Sequence, residues 1–180
     1  FGIGCLVIVS LDPSKSLIDD NDFVIIGKRS KKVIVDPSCY HFTMNEALDL
    51  RDTQHGGIPD FQTCIYRGLK EEVGVETYKK IHGAKFGKYV YLDFIFDTNK
   101  CEMGMTCYVK VTLDKTTDIK KFCEEFFNKY KLAHDSQLET TRLDFIKVGD
   151  IPSFIKGRKK NSNGLSSALD MLWCTFHNEI

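Results

Sequence analysis

The chain has 180 residues, of which 42% are apolar and 28% are charged, a composition that suits one globular domain spanning residues 1–180. Lysine plus arginine and aspartate plus glutamate number 25 each, so the chain lacks the positive charge that drives nonspecific nucleic-acid binding. Its apolar runs fall short of the roughly 20 residues that span a bilayer. We therefore expect neither a nucleic-acid partner nor a membrane span, and nucleotides or small phosphates stay open as ligands.

The seven cysteines form no CxxC pair and lie mostly in apolar stretches, which predicts reduced, buried thiols in a cytoplasmic protein. The five histidines show no zinc-type spacing with these cysteines, so we expect no zinc site. The first residue is Phe1 rather than methionine, and we expect a chain that was processed, trimmed or cut from a longer protein.

The N-terminal part of the chain predicts strands. Gly2 to Ser10 and Phe23 to Arg29 are rich in valine and isoleucine and are bounded by turn residues, which indicates a hairpin. Tyr40 to Glu46 is predicted as the next strand.

A helix is predicted from Asp60 to Val73, with Asp60 as its N-terminal cap and Gly74 as its left-handed C-terminal cap. Its apolar residues recur every four positions and should form a buried stripe. They are Phe61, Ile65, Leu69 and Val73.

The rest of the chain alternates strands and amphipathic helices. The predicted strands are Tyr89 to Phe96, Thr106 to Leu113 and Thr140 to Val148, and the predicted helices are Ile119 to Tyr130, a short one from Asp150 to Ile155, and Leu165 to Phe176. The last helix should pack on the sheet or on a second subunit, which would make the protein a homodimer.

Two adjacent acids, Glu71 and Glu72, lie near the end of the predicted helix, on the same side as Gly68. Like charges repel, and Mg²⁺ with phosphate oxygens is a common reason to keep two carboxylates together. A solvent-exposed pair on an ordinary helix is the alternative.

The stretch RGLKEEVGV from Arg67 to Val75 resembles the second half of the Nudix box, in which arginine and glutamate precede a glutamate pair and a glycine. The matching residues are Arg67, Leu69, Glu71, Glu72, Gly74 and Val75. Gly68 stands where the family has a glutamate that binds metal or activates water.

The first half of the box fits poorly. Counting back from Arg67 places Thr53 and Pro59 at the family's glycine and glutamate, and using Gly56 and Gly57 instead makes the loop too short. We adopt an alignment in which Tyr40 to Glu46 leads into the box and Glu46 is a substitute acid.

The resemblance implies an α/β/α sandwich with a mixed sheet between helices. It also implies hydrolysis of a nucleoside diphosphate linked to another group, with Mg²⁺ or Mn²⁺ as cofactor. Gly68 favours the alternative, a catalytically inactive Nudix-like module that binds a nucleotide or a protein partner.

The resemblance further assigns roles to individual residues. Glu71 and Glu72 would hold the metal with Glu46 as a third acid, and Arg67 would orient a carboxylate. Glu139, or else Asp135, would serve as the acid outside the box that completes metal binding or acts as the base. Arg29 ends a strand that resembles the family strand facing the substrate, and would contact phosphate or base, although a solvated basic loop is equally consistent with its neighbours.

Overall fold

The computed structural model describes residues 1–12, 14, 17–34, 36–53, 57–74, 85–86, 89–98, 101–113, 118–130, 140–157 and 165–177. The strands are β1 (Gly2–Ser10), β2 (Phe23–Arg29), β3 (Tyr40–His41), β4 (Met44–Ala47), β5 (Lys85–Phe86), β6 (Val90–Asp97), β7 (Glu102–Thr112) and β8 (Thr140–Lys147). The helices are α1 (Phe61–Glu72), α2 (Ile119–Tyr130), α3 (Ile151–Gly157) and α4 (Leu165–His177), and a 3-10 turn (Val148–Asp150) precedes α3. Within these ranges no helix has the length and apolar character needed to cross a membrane.

All of these strands belong to one mixed sheet. The central pair, β1 and β7, runs parallel along its whole length, from Gly2 opposite Gly104 to Ser10 opposite Thr112. The other strand pairs are antiparallel. A parallel pair in the middle and antiparallel pairs outside it make the sheet mixed, as predicted.

Each face of the sheet is covered by helices, because the long strands are apolar on both faces. On one face, Ile65 and Leu69 of α1 and Phe122 and Phe126 of α2 pack against alternate strand residues, among them Ile3, Val7, Ile25, Cys107 and Val109. On the other face α3 and α4 cover Leu6, Ile8, Val24 and Ile26 with Ile151, Leu165, Leu169 and Leu172. This arrangement is an α/β/α sandwich, which confirms the predicted fold class.

The predicted strand from Tyr40 to Glu46 is instead two short strands, because β1 and β2 diverge. The two strands pair only where Val7 to Val9 oppose Phe23 to Ile25. Beyond that point β3 pairs with β2 and β4 pairs with β1. The chain from Tyr40 to Ala47 thus fills a fork in the sheet.

Thr43 holds the apex of this fork. It is fully buried, and its hydroxyl accepts a hydrogen bond from the Val7 amide at 2.9 Å and donates one to the Ile25 carbonyl. One side chain thereby satisfies two backbone groups that the diverging strands cannot pair with each other.

The ends of α1 agree with the predicted caps. The Asp60 carboxylate accepts hydrogen bonds from the Gln62 amide at 3.1 Å and the Thr63 hydroxyl at 2.6 Å. Gly74, just beyond the helix, has φ of 92°, a conformation that favours glycine. Both helix ends are therefore fixed by local sequence.

The cysteines only partly follow the expectation of buried thiols. Cys5, Cys64 and Cys107 are buried, and burial raises the pKa of the Cys64 thiol to about 12. Cys101 is exposed, because it lies just before β7 with φ of 53°, outside the strand pairing.

We predict that Thr43→Val lowers the free energy of unfolding by about 2–4 kcal/mol, because it leaves two buried backbone groups without partners. Urea unfolding monitored by circular dichroism measures the change. Thr141→Val is the matched control, since the Thr141 hydroxyl is exposed and donates to the Lys28 carbonyl at 3.0 Å. Equal losses in the two variants would contradict this role of Thr43.

Candidate functional site

A cavity of about 760 Å³ opens in the mouth of the fork, between the β2 and β3 arm and the arm formed by β1, β4 and β7. We call it the fork pocket. Gly2 and Gly104 lie side by side in its wall, where the sheet presents backbone instead of side chains. Polar residues around it include Arg29, His41, Asn45, Glu46 and Glu102.

Behind the β4 wall of the pocket, Arg67 of α1 binds several acids at once. Its Nε and Nη2 donate to Asp52 at 3.0 and 2.7 Å. Nη2 also donates to the Ala47 carbonyl at 2.8 Å, and Nη1 lies 3.0 Å from Glu46 Oε2 and 3.4 Å from Glu71 Oε2. These partners match the five N–H groups of a guanidinium. We call Arg67, Glu46, Asp52 and Glu71 the arginine cluster.

Asp52 is the acid that the sequence did not reveal. It is fully buried, accepts the Asp49 amide at 2.8 Å, and its own carbonyl accepts the Asp60 amide at 2.8 Å. Its hydrogen bonds to Arg67 hold the pKa of the Asp52 carboxyl below its usual value and raise the pKa of Arg67. Asp49 and Asp52 lie three residues apart and indicate a turn, but no residue near them in sequence indicates that Asp52 pairs with Arg67.

The neighbouring acids Glu71 and Glu72 have different partners. Glu71 faces Arg67, four residues earlier on α1, and 40% of its side chain is exposed. Glu72 instead accepts the Asn45 amide of β4, at 3.1 and 3.2 Å from its two oxygens. Glu72 thus attaches the end of α1 to β4, whereas Glu71 pairs with Arg67 within α1.

Gly68 is explained by the close approach of β4 to α1. A Cβ atom at this position would lie 2.7 Å from Met44 Sδ and 2.9 Å from Glu46 Cβ, closer than real Cβ contacts. A glutamate side chain at position 68, as in the family pattern, has no room unless β4 moves away.

Among the residues that the structure describes, the acids near Arg67 form no metal site. The Glu46 oxygens are engaged by Arg67 at 3.0 Å and by the Ala47 amide at 2.9 Å, and Glu72 is engaged by a backbone amide. Across the described ranges, no set of three or more His, Cys, Asp or Glu side chains could hold a metal. The Arg67 guanidinium already supplies the positive charge that brings Glu46, Asp52 and Glu71 together.

The structure brings together some of the predicted site residues and not others. Glu46 and Arg29 line the fork pocket. Glu71 and Glu72 contact Arg67 and Asn45, on the side of β4 that faces α1. The predicted acids at positions 135 and 139 lie outside the described residues.

We predict that Gly68→Ala lowers the free energy of unfolding by about 1–3 kcal/mol, because its methyl group meets Met44 and Glu46. At a solvent-exposed position within a helix, the same change would raise the free energy of unfolding by roughly 1 kcal/mol. Gly157→Ala is the control, since a Cβ at the end of α3 meets nothing within 4 Å. Chemical denaturation compares the two variants, and a Gly68→Ala protein as stable as the original would refute the close packing.

We also predict a pH-dependent effect of Asp52→Asn. The depressed pKa of Asp52 means that its ionised form stabilises the fold above the unfolded-state pKa of about 3.9, and that this contribution is lost as the pH falls through the lower folded-state pKa. The variant should be less stable by about 1–3 kcal/mol at neutral pH, with the difference shrinking below about pH 4. Denaturation curves across pH measure it.

Asp144→Asn serves as the control for this measurement, because Asp144 pairs with the half-exposed Arg142 at 3.0 Å. Exposed ion pairs contribute at most about 1 kcal/mol. If Asp52→Asn lowers the free energy of unfolding no more than the control does, or lowers it equally at every pH, Asp52 is not the ionised partner of Arg67 that we describe.

No family model and no curated protein sequence matches this chain. Solved structures do match it. A NUDIX hydrolase from Alicyclobacillus acidocaldarius superposes with a TM-score of 0.58 and 9% identity over 96% of this chain and 90% of that chain. A mutT/nudix family protein from Listeria innocua superposes with a TM-score of 0.57 and 8% identity over 99% of this chain and 94% of that chain. An Ap4A hydrolase from C. elegans, solved as a binary complex, superposes with a TM-score of 0.51 and 11% identity over the full length of both chains. The chain therefore has a Nudix-like fold.

Proposed function

We propose that this protein is a Nudix-fold module that binds a nucleotide-type ligand in the fork pocket and releases it unchanged. The observation that carries the proposal is the packing of Gly68 against Met44 and Glu46. The sequence lacks the glutamate that the Nudix resemblance requires at this position, and any side chain there would force Met44 and Glu46 to shift.

The character of the pocket supports a nucleotide-type ligand. Its volume of about 760 Å³ falls within the range of ordinary small-molecule sites. Arg29 offers a guanidinium for phosphate oxygens, and Phe42 and Met103 offer apolar surface for a base or sugar. The Ap4A hydrolase that shares the fold is named for a dinucleotide substrate, which agrees with a ligand of this class.

The engagement of the acids supports binding without turnover. A hydrolase needs groups that activate water and neutralise charge on the phosphate oxygens, and losing one such group reduces the rate by orders of magnitude. Here Glu46 and Glu71 pair with Arg67, and Glu72 accepts a backbone amide. Glu46 and Glu72 thereby attach β4 to α1, and Glu71 pairs with Arg67 within the helix.

A hydrolase that depends on Mg²⁺ or Mn²⁺ and cleaves the pyrophosphate of a nucleoside diphosphate derivative is the second candidate. The exposure of Glu71 favours it, because Mg²⁺ is often held by one or two carboxylates together with substrate phosphates. Glu71, Glu72 and Glu46 would hold the ion, which would polarise the pyrophosphate, and Glu139 would be the candidate base. Arg67 would then have to release Glu46 and Glu71.

We predict that calorimetric titration with ADP and a panel of nucleoside diphosphate derivatives detects binding. In parallel, ³¹P NMR should detect no release of phosphate or nucleotide, with or without Mg²⁺ or Mn²⁺. Arg29→Gln should weaken binding by at least about tenfold, since a charged hydrogen bond to phosphate contributes roughly 1.5–3 kcal/mol. Lys121→Gln, on the exposed face of α2, should bind like the original protein.

Product release that requires Mg²⁺ or Mn²⁺ would overturn this proposal and establish the hydrolase. Glu71→Gln identifies the responsible site, because its loss of activity should then exceed that of Glu124→Gln on α2. A protein that binds none of the panel in any condition would contradict both candidates.

A further inference from the structure

A row of aromatic side chains lies exposed along β6. Tyr91 and Phe94 are opposite Cys107 and Met105 of β7, whose side chains belong to the core beneath α1. Because side chains alternate along a strand, Phe96 faces the same side of the sheet as Phe94. The core beneath α1 thus continues along β6 into a surface of exposed aromatic rings.

Phe1 extends this surface toward α1. Its ring centre lies 6.3 Å from that of Phe94 and 5.4 Å from that of Phe61, the first residue of α1. The exposed fractions are 42% for Phe1, 51% for Tyr91, 66% for Phe94 and 59% for Phe96. We call these four residues the aromatic patch.

The aromatic patch is large enough for a protein interface. At about 200 Å² for a whole aromatic side chain, these exposed fractions leave about 450 Å² of apolar surface in contact with solvent. A standard interface takes about 800 Å² from each partner, of which roughly 56–58% is apolar, or about 450 Å². Contiguous apolar patches of this size are often functional.

The strand that carries the patch lacks the usual protection against association with another copy. Among the described strands, β6 pairs only with β7, so it lies at the edge of this part of the sheet. Proteins commonly place lysine or proline on edge strands to prevent association, and residues 90–97 contain neither. This edge is therefore open to contact with an identical chain.

The charge of the surface also suits self-association. Asp93 lies between Tyr91 and Phe94 in sequence but faces the other side of the sheet, where it accepts a hydrogen bond from the Ser167 hydroxyl of α4 at 3.1 Å. A charged patch would repel its own copy, whereas uncharged rings can pack against identical rings.

The last helix, which the sequence indicated as a possible dimer contact, is already used inside the monomer. Leu165, Leu169 and Leu172 of α4 are fully buried in the core on the other face of the sheet. The apolar stripe of α4 is therefore occupied, and a homodimer requires another surface.

We propose that a second copy of this chain packs its aromatic patch against this one across a two-fold axis, which makes the protein a homodimer. In a two-fold contact the same surface serves both partners, so the patch needs no complementary surface elsewhere on the molecule. The inference goes beyond the proposed function and does not depend on the identity of the ligand.

The first test is sedimentation velocity of the purified protein from micromolar to submillimolar concentration. The share of dimer should rise with concentration. Phe94→Lys should raise the concentration of half-dimerisation by at least about tenfold, because the contact would desolvate a charge. Ile34→Lys is the control, since Ile34 is 97% exposed and lies between β2 and β3, away from the patch. Circular dichroism confirms that each variant is folded.

The second test is hydrogen exchange of the original protein, which requires no variant. Amides of β6 should exchange more slowly at a concentration where the dimer predominates than at one where the monomer predominates. Amides of β3, on the other arm of the fork, should exchange equally at both concentrations.

Several results would overturn the inference. They are a protein that stays monomeric at every concentration, a dimer that forms equally well in Phe94→Lys, and a dimer that Ile34→Lys weakens as much as Phe94→Lys does. Exchange of the β6 amides that is the same in monomer and dimer would also overturn it, because the interface would then lie elsewhere. The binding experiments on the fork pocket are separate, so a monomer that binds ADP would refute the dimer and leave the proposed function standing.

Discussion

The guanidinium of Arg67 joins three parts of the chain that carry like charges. It binds Asp52 in the loop before α1, Glu46 and the Ala47 carbonyl of β4, and Glu71 of its own helix. Without a central cation these carboxylates would repel one another, and the mostly buried Arg67 would be an unpaired charge. The contact therefore fixes the distance between α1 and β4.

That distance has two consequences for the protein. It places Met44 and Glu46 against α1 so closely that only glycine fits at position 68. It also fixes the wall that separates the acids of α1 from the fork pocket, because Asn45 and Glu46 belong both to this wall and to the contacts with α1. The pair Glu71 and Glu72 thus has a structural explanation that requires no metal ion.

Elements with a local signal were predictable from sequence. The alternating or apolar runs of β1 and β2, the four-residue stripe of α1 and its caps at Asp60 and Gly74 are all confirmed. Each of these elements is dictated by residues within a few positions of one another. The order of strands and helices then leads to the sandwich, because the apolar faces must be covered.

Features that depend on distant partners were not predictable. The division of the Tyr40 to Glu46 strand depends on Thr43, whose partners Val7 and Ile25 are 36 and 18 residues away in sequence. Asp52 pairs with Arg67 across fifteen positions, so the Nudix resemblance implied that Arg67 orients a carboxylate but did not identify Asp52 as that carboxylate. The position of the His41 ring also depends on a distant residue, since its partner Thr140 lies 99 residues later.

The central claim is that Arg67, and not a metal ion, holds the acids of α1 and β4 together. Anomalous diffraction from crystals grown with Mn²⁺ and ADP tests it most directly, because manganese is located independently of the surrounding side chains. We predict no anomalous peak within bonding distance of Glu46, Glu71 or Glu72, and an intact contact between Arg67 and Glu46. A strong peak between Glu71 and Glu72, with Arg67 turned away from Glu46, would contradict the account.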